Sequence, residues 1–219
     1  MKIMVVSPHP DDETLGAGGT LLKMKKQGNE IYWLNITNMK TELGWSEEAV
    51  AHRKEQIDSV ASLYGFQGVF NLELPPACLS SMEEGEIIAR IKEVYEKVNP
   101  EWIILPGNYD AHSDHHVVYN CCMACAKSFR APYIKRITTM EIPSETEYGF
   151  QNARFAPNLY VDITDELEEK IRVMKIYDTE LEERPFPRSL EGIKALAIVR
   201  GGASACMYAE AFHIVKQVE

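Results

Sequence analysis

Lys2-Ile3-Met4-Val5-Val6-Ser7-Pro8-His9-Pro10-Asp11-Asp12-Glu13 decides the fold. Its first half, Lys2 to Val6, is apolar and β-branched at Ile3, Val5 and Val6, the pattern of a short buried strand. The chain then stops abruptly, because Pro8 and Pro10 remove backbone donors and fix φ on either side of His9. An imidazole and adjacent carboxylates are thereby held on a stiff turn at the carboxyl end of a first strand, where open α/β sheets bind their ligands. His9 and Asp12 are three residues apart, so a tight turn lets both reach one cation. Asp11, pointing elsewhere, is left as a carboxylate beside that cation. A bland alternative explains this cluster equally well by itself: His9 caps a turn, and the acids sit at a helix start against its orphan N–H groups.

A second cluster tips the balance. His112-Ser113-Asp114-His115-His116 follows another buried run, Trp102 to Leu105. Catalytic zinc takes three protein ligands from N and O donors and keeps one position open for water, so a third ligand is expected among these later histidines. If the first and fourth strands are neighbours, their loops face each other over one crevice.

Between the clusters the chain alternates strand and helix. Thr14 to Gln27 reads as a helix stopped by Gly28, and Glu30 to Thr37 as the second strand. Asn38 to Trp45 is a polar loop, and Ser46 with Glu47 and Glu48 opens a helix to Tyr64, ended by Gly65. Gly68 to Leu72 is a third strand, Glu73 to Leu79 is irregular, and Ser80-x-x-Glu83 predicts a capping box for a helix to Val98. Asn99-Pro100 breaks that helix before the fourth strand. Beyond it, a helix is expected through Lys127, strands at Ile134 to Ile142 and Leu159 to Ile163, and a polar loop from Pro143 to Pro157. A helix capped by Thr164 or Asp165 runs to Tyr177, a loop holds Arg184 to Pro187, Ala195 to Val199 reads as a strand, and a last short strand follows Phe212. This rhythm implies right-handed crossovers and a parallel sheet.

Composition narrows the function classes. With Lys+Arg 23 against Asp+Glu 33 the net charge is −10, so nucleic acid and anionic membrane are not expected partners. The N-terminal apolar run is broken by Pro8 and three acids, unlike a signal peptide. No stretch approaches the roughly 20 apolar residues that span a bilayer. Five cysteines without framework spacing fit a reducing cytoplasm. Cys122-Met123-Ala124-Cys125 falls in a helical stretch and reads as small buried residues. Gly16, Gly18 and Gly19 near a helix start could cradle a phosphate, the basis of a rival reading as a nucleotide or sugar-phosphate binding module. The spacing departs from G-x-G-x-x-G and the turn carries acids, so close helix–sheet packing is the expected role. No repeat, linker or domain boundary interrupts the chain, and oligomeric state is left open, a homo-oligomer included.

A cation between the clusters would lower the pKa of a bound water from ~15.7 to near 7. Asp11 is the natural acceptor of its proton. Attack on an amide also needs a donor for the oxyanion and the amine, a role that suits His112 if Asp114 orients its ring as an imidazolium.

His9-Pro10-Asp11-Asp12-Glu13 with His112-x-Asp114-His115 resembles the PIG-L/LmbE superfamily of zinc-dependent de-N-acetylases. Gly16-Ala17-Gly18-Gly19-Thr20, Arg53 ahead of Gly65, and Tyr208-Ala209-Glu210-Ala211-Phe212 agree in order. The resemblance implies a Rossmann-like, three-layer α/β fold with a mostly parallel sheet, one domain over residues 1–219. It further implies removal of an N-acetyl group from a small N-acetylglucosaminyl-type sugar or conjugate. By position, the metal ligands would be His9, Asp12 and His115, with Asp11 as general base. His112 would be the acid or oxyanion partner held by Asp114, and Arg53 would bind substrate. Zinc is the expected metal, although two nitrogens and one carboxylate also suit ferrous iron, cobalt or manganese. His116 matches no required position. Gln56 stands where the family often has Glu, and Thr37-Asn38-Met39 where it often has Gly, which bears on substrate identity. A family tyrosine that helps the oxyanion could correspond to Tyr148, Tyr177 or Tyr208. A related alternative is an amidase acting on larger N-acyl or thiol conjugates.

Overall fold

A computed structural model describes residues 1–149 and 154–219. The strands β1 (Lys2–Ser7), β2 (Glu30–Thr37), β3 (Gly68–Leu74), β4 (Trp102–Leu105), β5 (Arg136–Met140), β6 (Leu159–Asp162) and β7 (Ala209–Gln217) form one sheet in the order 3-2-1-4-5-7-6. β1 pairs parallel with β2 on one side and β4 on the other, Val5 standing opposite both Trp33 and Ile104. The winding direction reverses at β1, so the first and fourth strands are neighbours and the loops after them open onto one crevice. β7 runs antiparallel between β5 and β6.

Side-chain alternation along the strands divides the core in two. Ile3, Val5, Trp33, Trp102 and Ile104 face the helices α1 (Asp12–Lys26), α2 (Glu47–Tyr64), α5 (Leu167–Met174) and α6 (Leu190–Ser204). Met4, Val6, Leu34, Ile103 and Leu105 face α3 (Glu84–Val98) and α4 (Ser113–Cys125). The expected three-layer, mostly parallel α/β architecture is therefore the observed one. No helix among the described residues is long and apolar enough to cross a membrane.

Several local readings change. Ala195 to Val199, expected as a strand, lies within α6, whose start is capped by the Ser189 hydroxyl accepting from Gly192 N at 3.0 Å. Ile193, Ala197 and Gly201, spaced by four, are its buried face. Ser80 does not cap α3: it sits in a 3-10 turn, Leu79–Ser81, and the helix starts after Glu83 without a side-chain cap. α5 begins after Glu166, beyond the expected Thr164 or Asp165. The last strand is long, nine residues, and already includes Ala209 to Phe212. The Pro143 to Pro157 loop contains a short 3-10 turn, Thr146–Tyr148, and its residues 150–153 lie outside the described residues.

The glycines of α1 serve packing. A Cβ on Gly16 would stand 2.7 Å from Met140, and one on Gly19 2.8 Å from Ile163. α1 starts at Asp12, so Gly16, Gly18 and Gly19 lie within the helix and not at its anion-binding end, and the N–H groups of Gly19 and Thr20 donate to the two carboxylate oxygens of Glu210 at 2.8 and 2.7 Å. Cys121, Cys122 and Cys125 are free, buried thiols of α4.

Candidate metal centre and active-site cavity

The turn after β1 places its side chains by backbone geometry. Pro8 and Thr37 tie it to β2, the Thr37 N–H and hydroxyl both donating to the Pro8 carbonyl at 3.0 and 2.7 Å. Asp11 is the residue preceding α1 and has φ 145°, a backbone conformation that residues other than glycine rarely adopt. It turns Asp11 away from Asp12, so the adjacent carboxylates look in different directions. The Asp12 carboxylate folds back, Oδ2 accepting from the His9 N–H at 2.8 Å.

His115 arrives from the first turn of α4. Its Nδ1 faces Asp110 Oδ2 at 2.9 Å, and that oxygen also accepts from Gly107 N at 2.9 Å. Asp110 thus fixes the ring with the proton on Nδ1 and an open lone pair on Nε2. That Nε2 is buried, has no hydrogen-bond partner among the described residues, and lies 3.5 Å from Asp12 Oδ2. His9 is fixed likewise: Nε2 faces Asp114 Oδ2 at 3.1 Å, leaving Nδ1 3.6 Å from the same Asp12 oxygen. Donor atoms of His9, Asp12 and His115 all lie within 4.8 Å of one another.

Two nitrogen lone pairs and a carboxylate oxygen, each ring locked from behind by a carboxylate, fit a divalent metal. Electrostatics point the same way. Burial, then the neighbouring Asp11, push the Asp12 carboxyl well above its usual range, the signature of a buried acid without its counter-charge. A second possible grouping, His9 with His112 and Asp114, is already saturated. Asp114 accepts from His9, Ala77 N (2.7 Å) and Leu79 N (3.2 Å), and His112 Nδ1 accepts from Asp114 N at 3.1 Å.

That bonding changes one expectation. The Asp114 carboxylate does not hold His112; it holds His9 and the loop before α3, while only the backbone N–H of Asp114 reaches His112. With Nδ1 as acceptor, His112 carries its proton on Nε2 as a neutral ring. Burial, followed by nearby His9, lowers its pKa, opposite to the imidazolium expected from an acid partner. Asp114 stays ionised: burial opposes it, but the bonds from His9 and Ala77 N prevail and lower its pKa.

The centre opens into a cavity of about 250 Å³, lined by His9, Asp11, Asp12 and His112 and walled by Met39, Trp45, Glu145 and Arg188. Burial and then Glu180 raise the Asp11 carboxyl to about 6, against the pull of Arg188 and His9. Arg53 is at the cavity but both its terminal nitrogens are engaged: Nη1 on the Pro10 carbonyl at 3.0 Å, Nη2 on Glu180 and on Thr179 Oγ1. Gln56 donates to the Ile176 carbonyl and Asp178 Oδ1 at 3.0 and 2.8 Å, fastening the segment that carries Glu180. Tyr148, Tyr177 and Tyr208 are not among the residues lining the cavity; Tyr177 is buried with its hydroxyl on Glu13 Oε1 at 2.9 Å. His116 bonds the Asp110 carbonyl, a packing contact.

Sequence reasoning did not single out Asp110, Glu180 or Arg188. Asp110 was within reach of it, as an acid in the loop that leads to His115. Its role predicts that Asp110→Asn weakens metal affinity about 10- to 100-fold while the fold persists, to be read by competition with a chromophoric chelator.

Known proteins bear on the chain as a whole. It is 25% identical over 224 residues to the diacetylchitobiose deacetylase of Thermococcus kodakarensis, covering 98% of this chain and 83% of that one. It is 27% identical over 122 residues to a probable N-acetyl-alpha-D-glucosaminyl L-malate deacetylase 2 of Bacillus cereus, covering 52% of this chain and 56% of that one. Among solved structures, the N,N'-diacetylchitobiose deacetylase of Pyrococcus horikoshii superposes with a TM-score of 0.77 at 20% identity, over 98% of this chain and 84% of that one. A 4-carboxy-2-hydroxymuconate hydratase from Pseudomonas putida KT2440 superposes almost equally, TM-score 0.76 at 18% identity over 100% and 97% of the two chains. Backbone likeness therefore gives the fold and leaves the reaction to the site. The family model described as PIG-L, GlcNAc-PI de-N-acetylase, matches residues 4–126, a span that runs from β1 through the end of α4 and holds all three clustered donors. The chain is a member of the PIG-L family.

Proposed function

We propose that this chain, as one catalytic domain over residues 1–219, is a metal-dependent N-deacetylase that hydrolyses the acetamide of an N-acetylglucosaminyl-type sugar or sugar conjugate. The observation that carries the reading is the triangle of His9, Asp12 and His115 donors beside an Asp11 carboxylate that remains outside it in the same cavity. Near-full-length similarity to a diacetylchitobiose deacetylase supports an acetylated sugar as substrate. Zinc suits a set of two imidazoles and one carboxylate with an open position.

A divalent ion held by His9, Asp12 and His115 would supply Lewis acidity towards the amide carbonyl and would lower the pKa of a water beside it. The chain's own groups do the rest. Asp11 Oδ2 is held by Arg188 at 3.0 Å, and its other oxygen receives the proton of the attacking water. His112, neutral with hydrogen on Nε2, donates to the carbonyl oxygen as negative charge develops. The proton gained by Asp11 passes to the amine nitrogen as the C–N bond breaks, leaving acetate and a free amine. Asp114 and Asp110 hold His9 and His115 in their tautomers, and Arg53 anchors the Pro10 carbonyl of the turn.

The test pairs elemental analysis of purified protein with an acetate-release screen. Diacetylchitobiose, N-acetylglucosamine and a glucosaminyl conjugate are assayed with and without chelator, beside analogues with longer acyl groups. Acetate release that is lost with chelator and restored by zinc is the expected result. Release only of longer acids would favour the larger amidase reading, and no hydrolysis by metal-loaded protein would end the proposal.

A further inference from the structure

Arg53 was expected to meet the substrate, but it is 4% exposed and its two terminal nitrogens are both engaged by protein acceptors. A different arginine stands in the cavity wall. Arg188 lies just ahead of α6, with its side chain 24% exposed. Its Nη1 is shared between Asp11 Oδ2 at 3.0 Å and Glu180 Oε2 at 3.3 Å. Its Nε is buried and has no hydrogen-bond partner among the described residues. A guanidinium offers five N–H donors in a rigid fork, and a buried donor left unmade is costly. One side of this fork is thus fixed on the general-base carboxylate, and the side that carries Nη2 has no acceptor among the described residues and is left for a ligand in the cavity.

We propose that Arg188 is the arginine that engages the substrate, donating from its free edge to hydroxyl oxygens of an uncharged sugar while Nη1 keeps the Asp11 carboxylate aimed. The inference rests on the deacetylase reading of the site. Charge selects the ligand class. The cavity's charged side chains are Asp11, Asp12, Glu145 and Glu180 against Arg53 and Arg188, a formal −2 that a divalent ion at the centre cancels. Both cations already face carboxylates, so no excess positive charge remains there for an anionic substituent. Neutral hydroxyls accept from a charge-balanced guanidinium without upsetting that balance.

The experiment compares wild type with Arg188→Ala and Arg188→Lys on uncharged diacetylchitobiose and on an N-acetylglucosaminyl substrate carrying a carboxylate, together with calorimetric binding of glucosamine to metal-loaded protein. Arg188→Ala is expected to keep its metal, to raise KM and weaken glucosamine binding about 10- to 100-fold, and to lower kcat. Lysine, which lacks the fork, should restore less than half of either loss, whereas added guanidinium ion should recover kcat in the alanine variant. A residue that only braced the fold would lose metal or melt early and would not respond to guanidinium, and that outcome overturns the proposal. So does an unchanged KM and glucosamine affinity, or an alanine variant impaired more on the carboxylate substrate than on the uncharged one. If wild type hydrolyses neither substrate, the deacetylase reading falls. The glucosamine titration then still tests Arg188 by itself: unchanged affinity in the alanine variant overturns its role, and a loss supports it.

Discussion

Asp11→Asn is expected to retain a full complement of metal and a near-normal melting temperature while losing about 10²- to 10⁴-fold in turnover. The side chain keeps its shape and its acceptor oxygen, so Arg188 still has a partner at the position where it now meets Oδ2 at 3.0 Å. What disappears is the ability to take a proton, because an amide is not a base at neutral pH. His9→Ala is the informative contrast. It removes the Nδ1 lone pair that faces Asp12 Oδ2 at 3.6 Å and leaves the buried Asp114 carboxylate without the ring it holds. Metal content by elemental analysis should therefore fall in His9→Ala and stay intact in Asp11→Asn. Equal loss in both would overturn the separation of duties between the neighbouring aspartates.

Lys170→Met should give the largest loss of stability. Lys170 and Glu210 are both buried, about 5% exposed, with Nζ and Oε1 2.7 Å apart. The ammonium also bonds the Leu15 carbonyl at 2.8 Å, and the carboxylate takes the Gly19 and Thr20 N–H groups, so the pair clamps α1 to α5 and β7. Methionine fills the space but leaves Glu210 as a buried carboxylate without its cation and takes the ammonium from the Leu15 carbonyl. Breaking one side of such a pair costs about 3–5 kcal/mol, a fall in melting temperature of roughly 6–20 °C for a chain of this size. Adding Glu210→Gln should recover a substantial part, because the uncompensated charge then disappears. A double variant no more stable than Lys170→Met would show that the loss came from packing.

The parts of this molecule that were legible in its sequence are those punctuated locally. β2 and β4 occupy the residues read for them, Glu30–Thr37 and Trp102–Leu105, because caps, glycines and prolines bracket short β-rich runs. α2 likewise starts at its Ser46 cap and ends at Gly65, whose φ is 60°. Ala195 to Val199 misled for the converse reason. Five apolar residues without a breaker suit strand and helix alike, and the deciding spacing of Ile193, Ala197 and Gly201 emerges only over a longer window. The convergence of His9, Asp12 and His115 was legible because two clusters sat at equivalent places in a βα rhythm. The hydrogen bonds around them were less so. That Asp114 serves His9, and not His112 two residues before it, depends on how β1 and β4 bring their loops together. Arg188 was invisible because it reaches Asp11 across a separation of 177 residues, which no local pattern records.

The backbone of Asp11 carries a consequence of its own. At φ 145° the most comfortable occupant of this position is glycine, which enters that region at no steric cost. An Asp11→Gly chain would relieve that backbone strain but leave Arg188 without its carboxylate partner and the proposed reaction without its proton acceptor. Aspartate here therefore trades ease of the turn for a carboxylate presented to the cavity, with the guanidinium of Arg188 at 3.0 Å as its counterweight.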